Sequence, residues 1–252
     1  MGGSIALGAI ASGLVKDTQV AISWPSPWLV ERFTKLDYRG NFADDNRTTV
    51  RGADLIVVAV KPWMLDQVLG EVRDVIESQQ IVASVVAGAS FDKIEGLLRT
   101  DTRKMPPLVR IIPNTAIALG ESATFISARG VDEARLAEVV GLFDSMGRTF
   151  RIDEQQMTAV TALASCGIAY AFKYIDAASR GGAELGLDPA MSLEIVLQTV
   201  CGALKMLTAN GSQPQAEIDK VTTPGGITLK GLEAMERNGF SHAVIEGLKA
   251  SK

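Results

Sequence analysis

The chain has 252 residues, room for one large or two modest domains with a substantial core. A hydrophobic content of 47% and a charged content of 21% are ordinary for a globular protein, and a net charge of −4 leaves no basic stripe for a broad nucleic-acid footprint. Cys166 and Cys201 are the only cysteines and form no CxxC, which argues against a zinc site or a disulfide framework and suits a reducing compartment.

Met1 to Val15 carries no charge and is mostly small and apolar, so Met1–Leu14 reads as a helix able to pack closely on a sheet. It lacks the basic start of a signal peptide and is too short to span a bilayer. No later run approaches spanning length, and the expectation is a cytoplasmic protein with no membrane and no nucleic-acid partner. Val20 to Ser23 reads as a short strand ended by Trp24-Pro25-Ser26-Pro27, with a helix from Trp28 to Leu36 behind a first-turn proline. Asp45-Asn46 caps a short turn through Arg51. Leu55 to Val60 is continuous and β-branched, as a parallel strand buried on both faces should be, and Lys61-Pro62 stops it before a helix from Trp63 to Ile76.

Alternation continues with strands at Ile81–Val86, Leu108–Ile112, Ala123–Ser127 and Thr149–Ile152. Helices are expected at Phe91–Leu98, capped by Ser90, and at Asp132–Met146. Beyond Ile152 the strand signal ends, and everything from Glu154 to Lys252 reads as helical. The fold class is therefore α/β: a doubly wound, mainly parallel Rossmann-type sheet over residues 1–152, then an all-helical domain over 153–252. Such sheets bind ligands outside the carboxyl ends of their strands. Lys61 is the one cation among those strand ends, either a functional charge or a solvated strand terminus.

A dinucleotide-binding fold opens with a strand and G-x-G-x-x-G running into its first helix. The sequence starts at Met1-Gly2-Gly3, already on that helix, and Gly2 matches the third glycine. The first strand and its two glycines are expected to be missing from this sequence.

The second motif is Val221-Thr222-Thr223-Pro224-Gly225-Gly226-Ile227-Thr228, running into a segment of helical spacing. Glycines admit a ligand close to the backbone, and the following helix aims free N–H groups and a positive dipole end at the loop. Such a loop can hold a carboxylate without a cationic side chain. The plain alternative is a Pro-Gly-Gly turn between two helices.

These residues resemble the pyrroline-5-carboxylate reductases. The resemblance spans essentially the whole chain and rests on Met1-Gly2-Gly3-Ser4-Ile5, Asp45-Asn46-Arg47, Ala53-Asp54-Leu55 through Lys61-Pro62, Ala87-Gly88 and Arg110 to Thr115. It continues through Ala159 to Leu163, Ala169-Tyr170, Gly186-Leu187, Gly202 to Met206 and Lys220 to Thr228, the last being the most specific. It implies a C-terminal helical dimerisation domain and reduction of 1-pyrroline-5-carboxylate to L-proline by NADP(H), with NAD(H) second. It also implies a homodimer, with a larger oligomer of dimers left open.

By matched position, Gly2, Gly3, Ser23, Trp24, Asn46, Ala59, Val60, Lys61, Pro62, Val86 and Ala87 would line the cofactor groove. Glu154, Val221, Thr223, Gly225, Gly226 and Thr228 would meet the substrate, with Thr228 and Lys61 as the candidate catalytic residues. Trp24 departs from the small polar residue usual in relatives, and the absence of an acid there leans toward NADP. Two other readings stay open: an NADP-dependent reductase of another imine or hydroxy acid, and a non-catalytic binding or oligomerisation module.

Overall fold

From the N-terminus the elements run α1 (Gly2–Ala11), β1 (Ala21–Ser23), α2 (Pro27–Lys35), β2 (Asn41–Ala43), α3 (Asn46–Val50), β3 (Leu55–Val58), α4 (Leu65–Val72), β4 (Ile81–Ser84), α5 (Phe91–Leu98), β5 (Leu108–Ile112), β6 (Ser122–Arg129), α6 (Glu133–Asp144) and β7 (Gly147–Arg151). Helices follow to the end: α7 (Met157–Val160), α8 (Gly167–Glu184), α9 (Pro189–Asn210), α10 (Pro214–Val221), α11 (Ile227–Arg237) and α12 (Phe240–Ala250). The computed structural model describes residues 1–252, and the chain divides into two units, Met1–Ser165 and Cys166–Lys252.

In the first unit β3-β4-β5-β6-β7 form one sheet, parallel except for the antiparallel β5–β6 pair. Side chains alternate between its faces, as the period of two requires. Ile56, Val58, Val82 and Leu108 pack with Leu65, Leu69, Phe91 and Ile94 on one side. Ile81, Ala83, Val109 and Ile111 pack with Ile5, Ala9, Leu136 and Phe143 on the other. Helices on both faces explain why β3, β4 and β5 are mostly apolar.

β1 and β2 pair in parallel as a separate two-stranded sheet. α1 serves both sheets: Ile5 and Ala9 join the large core, while Ile10, Ala6 and Leu7 pack with Leu29, Phe33 and Ile22. β2 was not expected from the sequence, because its three residues are mostly exposed and carry no periodic apolar signal. β3 also stops two residues early, and the expected helix from Trp63 to Ile76 is a 3₁₀ turn, Pro62–Met64, followed by the shorter α4.

The helical stretch beginning at Glu154 is continuous to Glu184 and includes a π-helical segment at Thr161–Cys166. That continuity corrects the expectation that no later run approaches spanning length. Glu154–Glu184 and Pro189–Asn210 are both long and apolar enough to cross a membrane. In the second unit α8 and α9 pack through small residues, with Ser192 Oγ donating to the Ser179 carbonyl at 2.7 Å. Ser192 is the one buried residue there, while Phe172, Leu193, Ile195, Leu197 and Leu204 are exposed.

Candidate active site

The first unit offers a row of strand ends. Past β1 come Ser23, half-buried, and Trp24, exposed with φ +49°. Past β3 come Ala59 and Val60, partly buried, then exposed Lys61 and Pro62. α1 starts against this row. A Cβ on Gly2 would sit 2.9 Å from the Ala59 Cβ, so only glycine lets the helix approach β3 so closely. Gly3 packs in the same way on Leu29. No side chain caps α1 and no acid stands in its first turn, so its leading N–H groups and positive dipole end remain open to an anion.

Several expected groove residues are already engaged. Val86 is buried and belongs to the sheet core, so its backbone alone remains to line a groove, whereas Ala87 beside it is exposed. Asn46 donates its side-chain amide to Glu71 Oε2 at 2.7 Å. Glu71 accepts from Asn46 and Gln67, and those bonds hold its carboxyl below the usual range. Asp45 caps α3 by accepting from the N–H groups of Arg47 and Thr48, at 3.0 and 2.8 Å.

Glu154 was expected beside the substrate. Its carboxylate is committed within the first unit: Oε1 accepts from Arg110 Nη1 at 2.8 Å and from the Phe91 N–H at 2.7 Å, and Oε2 accepts from Arg129 Nη2 at 3.3 Å. Arg110 lies on the β5 face shared with Leu108, and Arg129 covers the Phe91 ring at 4.8 Å while also reaching Asp92 and Glu95. This cluster ties β5, β6 and the start of α5 to the entry of the helical stretch. Sequence reasoning missed it, although a lone Arg110 inside an apolar strand was a visible signal, since a buried cation demands a partner. Ser165 Oγ, in the π-helical segment, donates to the Pro113 carbonyl at 3.1 Å, fixing that segment at the end of β5.

The second unit carries the other half of the expected residues. α10 ends at exposed Val221, and the Thr222 hydroxyl bonds back to the Ile218 carbonyl at 3.0 Å. Thr223 closes a turn by accepting the Gly226 N–H at 2.9 Å, with Gly225 at φ +72°. A Cβ on Gly226 would fall 2.6 Å from Thr223 Oγ1, so the turn needs both glycines. Gly226 is the N-cap of α11, with no side-chain cap and no acid in the first turn. Thr223, Gly225, Gly226 and Thr228 thus surround an open, positive helix end, and Thr223 and Thr228 are exposed there.

Just before this loop, Glu217 fastens the turn ahead of α10. Its Oε1 accepts from Lys220 at 2.8 Å, from Ser212 and from Asn210, and these bonds hold the carboxyl down at about 2. His242 is exposed on α12 and takes no part in this arrangement.

Residues 154–252 match the family model described as pyrroline-5-carboxylate reductase dimerisation, and residues 1–88 match the one described as NADP oxidoreductase coenzyme F420-dependent. The chain is 33% identical to the pyrroline-5-carboxylate reductase of Methanosarcina acetivorans, covering all of this chain and 93% of that one. It is 34% identical to pyrroline-5-carboxylate reductase 1 of Dictyostelium discoideum over its whole length, but spans only 47% of that longer relative. A solved pyrroline carboxylate reductase of Plasmodium falciparum with NADP bound superposes with a TM-score of 0.89 at 28% identity, covering 100% of this chain and 91% of that one.

Proposed function

The chain belongs to the pyrroline-5-carboxylate reductase family, and from that premise we propose that it reduces 1-pyrroline-5-carboxylate to L-proline with NADP(H), the closing step of proline biosynthesis. The observation that carries this reading is the uncapped N-terminus of α11 behind the Thr223–Gly226 turn, built for a small carboxylate. NADP(H) fits the first unit on its own geometry, because the close approach of Gly2 to Ala59 presents the open start of α1 to a diphosphate.

When bound, the nicotinamide supplies the hydride that reduces the C=N carbon. A protonated imine is already electrophilic, so the chain's chief contribution is alignment of donor and acceptor. The first-turn N–H groups of α11 hold the carboxylate, with Val221, Thr223, Gly225 and Gly226 shaping the loop. The Thr228 hydroxyl orients the ring nitrogen. Lys61 supplies a positive charge beside the cofactor. Ser23, Trp24, Ala59, Val60, Pro62, Ala87 and the backbone of Val86 line the cofactor groove, with Gly2 and Gly3 at its diphosphate. Asn46 and Glu154 act through their neighbours, one on Glu71 and one on Arg110.

We take 1–152 as the dinucleotide-binding domain and 153–252 as the substrate and dimerisation domain, a boundary supported by the start of the dimerisation match at residue 154. The working form is a homodimer in the cytoplasm, with assembly of dimers into a larger oligomer open to it. Neither a membrane nor nucleic acid is a partner. The apolar faces of the two longest helical stretches, in this reading, meet a second copy of the chain.

The direct test follows NADPH absorbance on addition of 1-pyrroline-5-carboxylate, with other cyclic imines and hydroxy acids as controls. Turnover with the first substrate, at a kcat/KM well above the controls, is expected. No loss of absorbance would overturn the reading.

A further inference from the structure

Trp24 breaks two local rules together. Its φ of +49° lies in the left-handed region, which bulky side chains rarely enter. The residue is 66% exposed, so packing within the chain does little to offset that strain. The backbone is nonetheless held firmly. The Trp24 N–H donates to the Ala43 carbonyl at 2.9 Å, extending the β1–β2 ladder one rung past Ser23. Pro25 and Pro27 stiffen the exit, and Ser26 Oγ accepts the Leu29 N–H at 3.4 Å to cap α2.

A strained backbone retained under an exposed ring points to a ligand that the ring serves. The ring is large, flat and apolar, and it stands just past the carboxyl end of a parallel strand, the side where α/β sheets meet their ligands. A base is the matching flat surface, and stacking on an aromatic side chain is how proteins hold one without reading its edges. Ser23 to Trp28 contains no carboxylate for a ribose 2′-hydroxyl, while Ser23 and Ser26 tolerate a 2′-phosphate.

Resting on the NADP(H) reading above, we propose that Trp24 is the adenine platform of the cofactor site, its left-handed backbone holding the indole out for stacking on the base. The test is calorimetry on the full chain with NADPH and with its two halves, 2′-phospho-ADP-ribose and reduced nicotinamide mononucleotide. W24G is expected to weaken NADPH and the adenine half about tenfold, on the scale of one lost base–aromatic stack, and to leave the nicotinamide half within about twofold. W24F is expected to stay within about threefold throughout. The unliganded W24G protein should melt a few degrees higher, because glycine adopts the positive φ freely.

Equal binding of all three ligands by W24G and the parent overturns the proposal, as does equal weakening of both halves. Quenching of tryptophan fluorescence by the adenine half gives a second readout that does not depend on the glycine variant. Its loss in W24F, with retention in W28F and W63F, supports the platform; unchanged quenching in W24F overturns it. A parent protein that binds no NADPH at all fails the cofactor reading itself, a result distinct from either of these.

Discussion

The two units answer the same problem in opposite ways. Every buried apolar side chain lies between Ile5 and Ala162, most of them on the two helix-covered faces of the large sheet and a few beside β1. Residues 166–252 bury only Ser192 and leave Ile227 88%, Phe172 65% and Leu204 59% exposed. With each Leu, Ile or Phe worth roughly 1.5–3 kcal/mol when buried, the first unit gains far more from its own core than the second. The helical unit therefore leaves an apolar face that it does not cover itself, in keeping with its match to a dimerisation model.

The sharpest way to break that contrast is to put charge on the exposed helical face. Leu197→Asp combined with Leu204→Asp should abolish the dimer, unfold much of the second unit and remove activity, while NADPH binding by the first unit survives. Light scattering, circular dichroism and calorimetry together check this; an active monomer would refute it. The converse experiment attacks the first unit. Arg110→Ala leaves half-buried Glu154 without its closest cation and should cost about 1–3 kcal/mol of stability, read as a lower melting temperature with the dimer intact.

Thr228→Ala isolates the chemistry from both folding questions. Loss of one hydrogen bond to a charged reacting group, about 1.5–3 kcal/mol, should lower kcat by roughly 10- to 100-fold and leave the NADPH Kd unchanged. Equal damage to both constants would reduce the loop to a turn. The smallest effect is acid sensitivity confined to the second unit. Folding lowers the Glu217 carboxyl from 4.5 to about 2, so its contribution is complete at neutral pH and is lost as pH falls from about 4.5 toward 2. Glu217→Gln should remove that component of the acid transition, followed by circular dichroism, and leave the rest.

The order of elements was legible because the strands of the large sheet, such as Leu55 to Val58 and Ile81 to Ser84, are unbroken apolar runs bounded by Pro, Gly and caps. Ser90, Asp45 and the first-turn Pro27 mark their helices as local chemistry predicts. β2 stayed hidden because three residues, two of them exposed, carry no period. The length of the helical stretch was hidden by its π-helical joint, which propensity does not signal. At the candidate site the Thr-Pro-Gly-Gly turn was readable from residue types alone. The commitments of Glu154 and Asn46 were not, because their partners Arg110 and Glu71 come together only through the fold.

The split between the two sheets has a mechanical consequence. No ladder hydrogen bond joins β1–β2 to the larger sheet; α1 packs on both, and Asn46 and Arg47 of α3 bond Glu71 of α4. Side-chain contact resists shear far less than a row of backbone hydrogen bonds does. The β1–β2 ribbon is therefore expected to open more readily than the large sheet. Its amides should exchange with solvent ahead of those in β4 and β5, and whatever grips Trp24 also damps that opening.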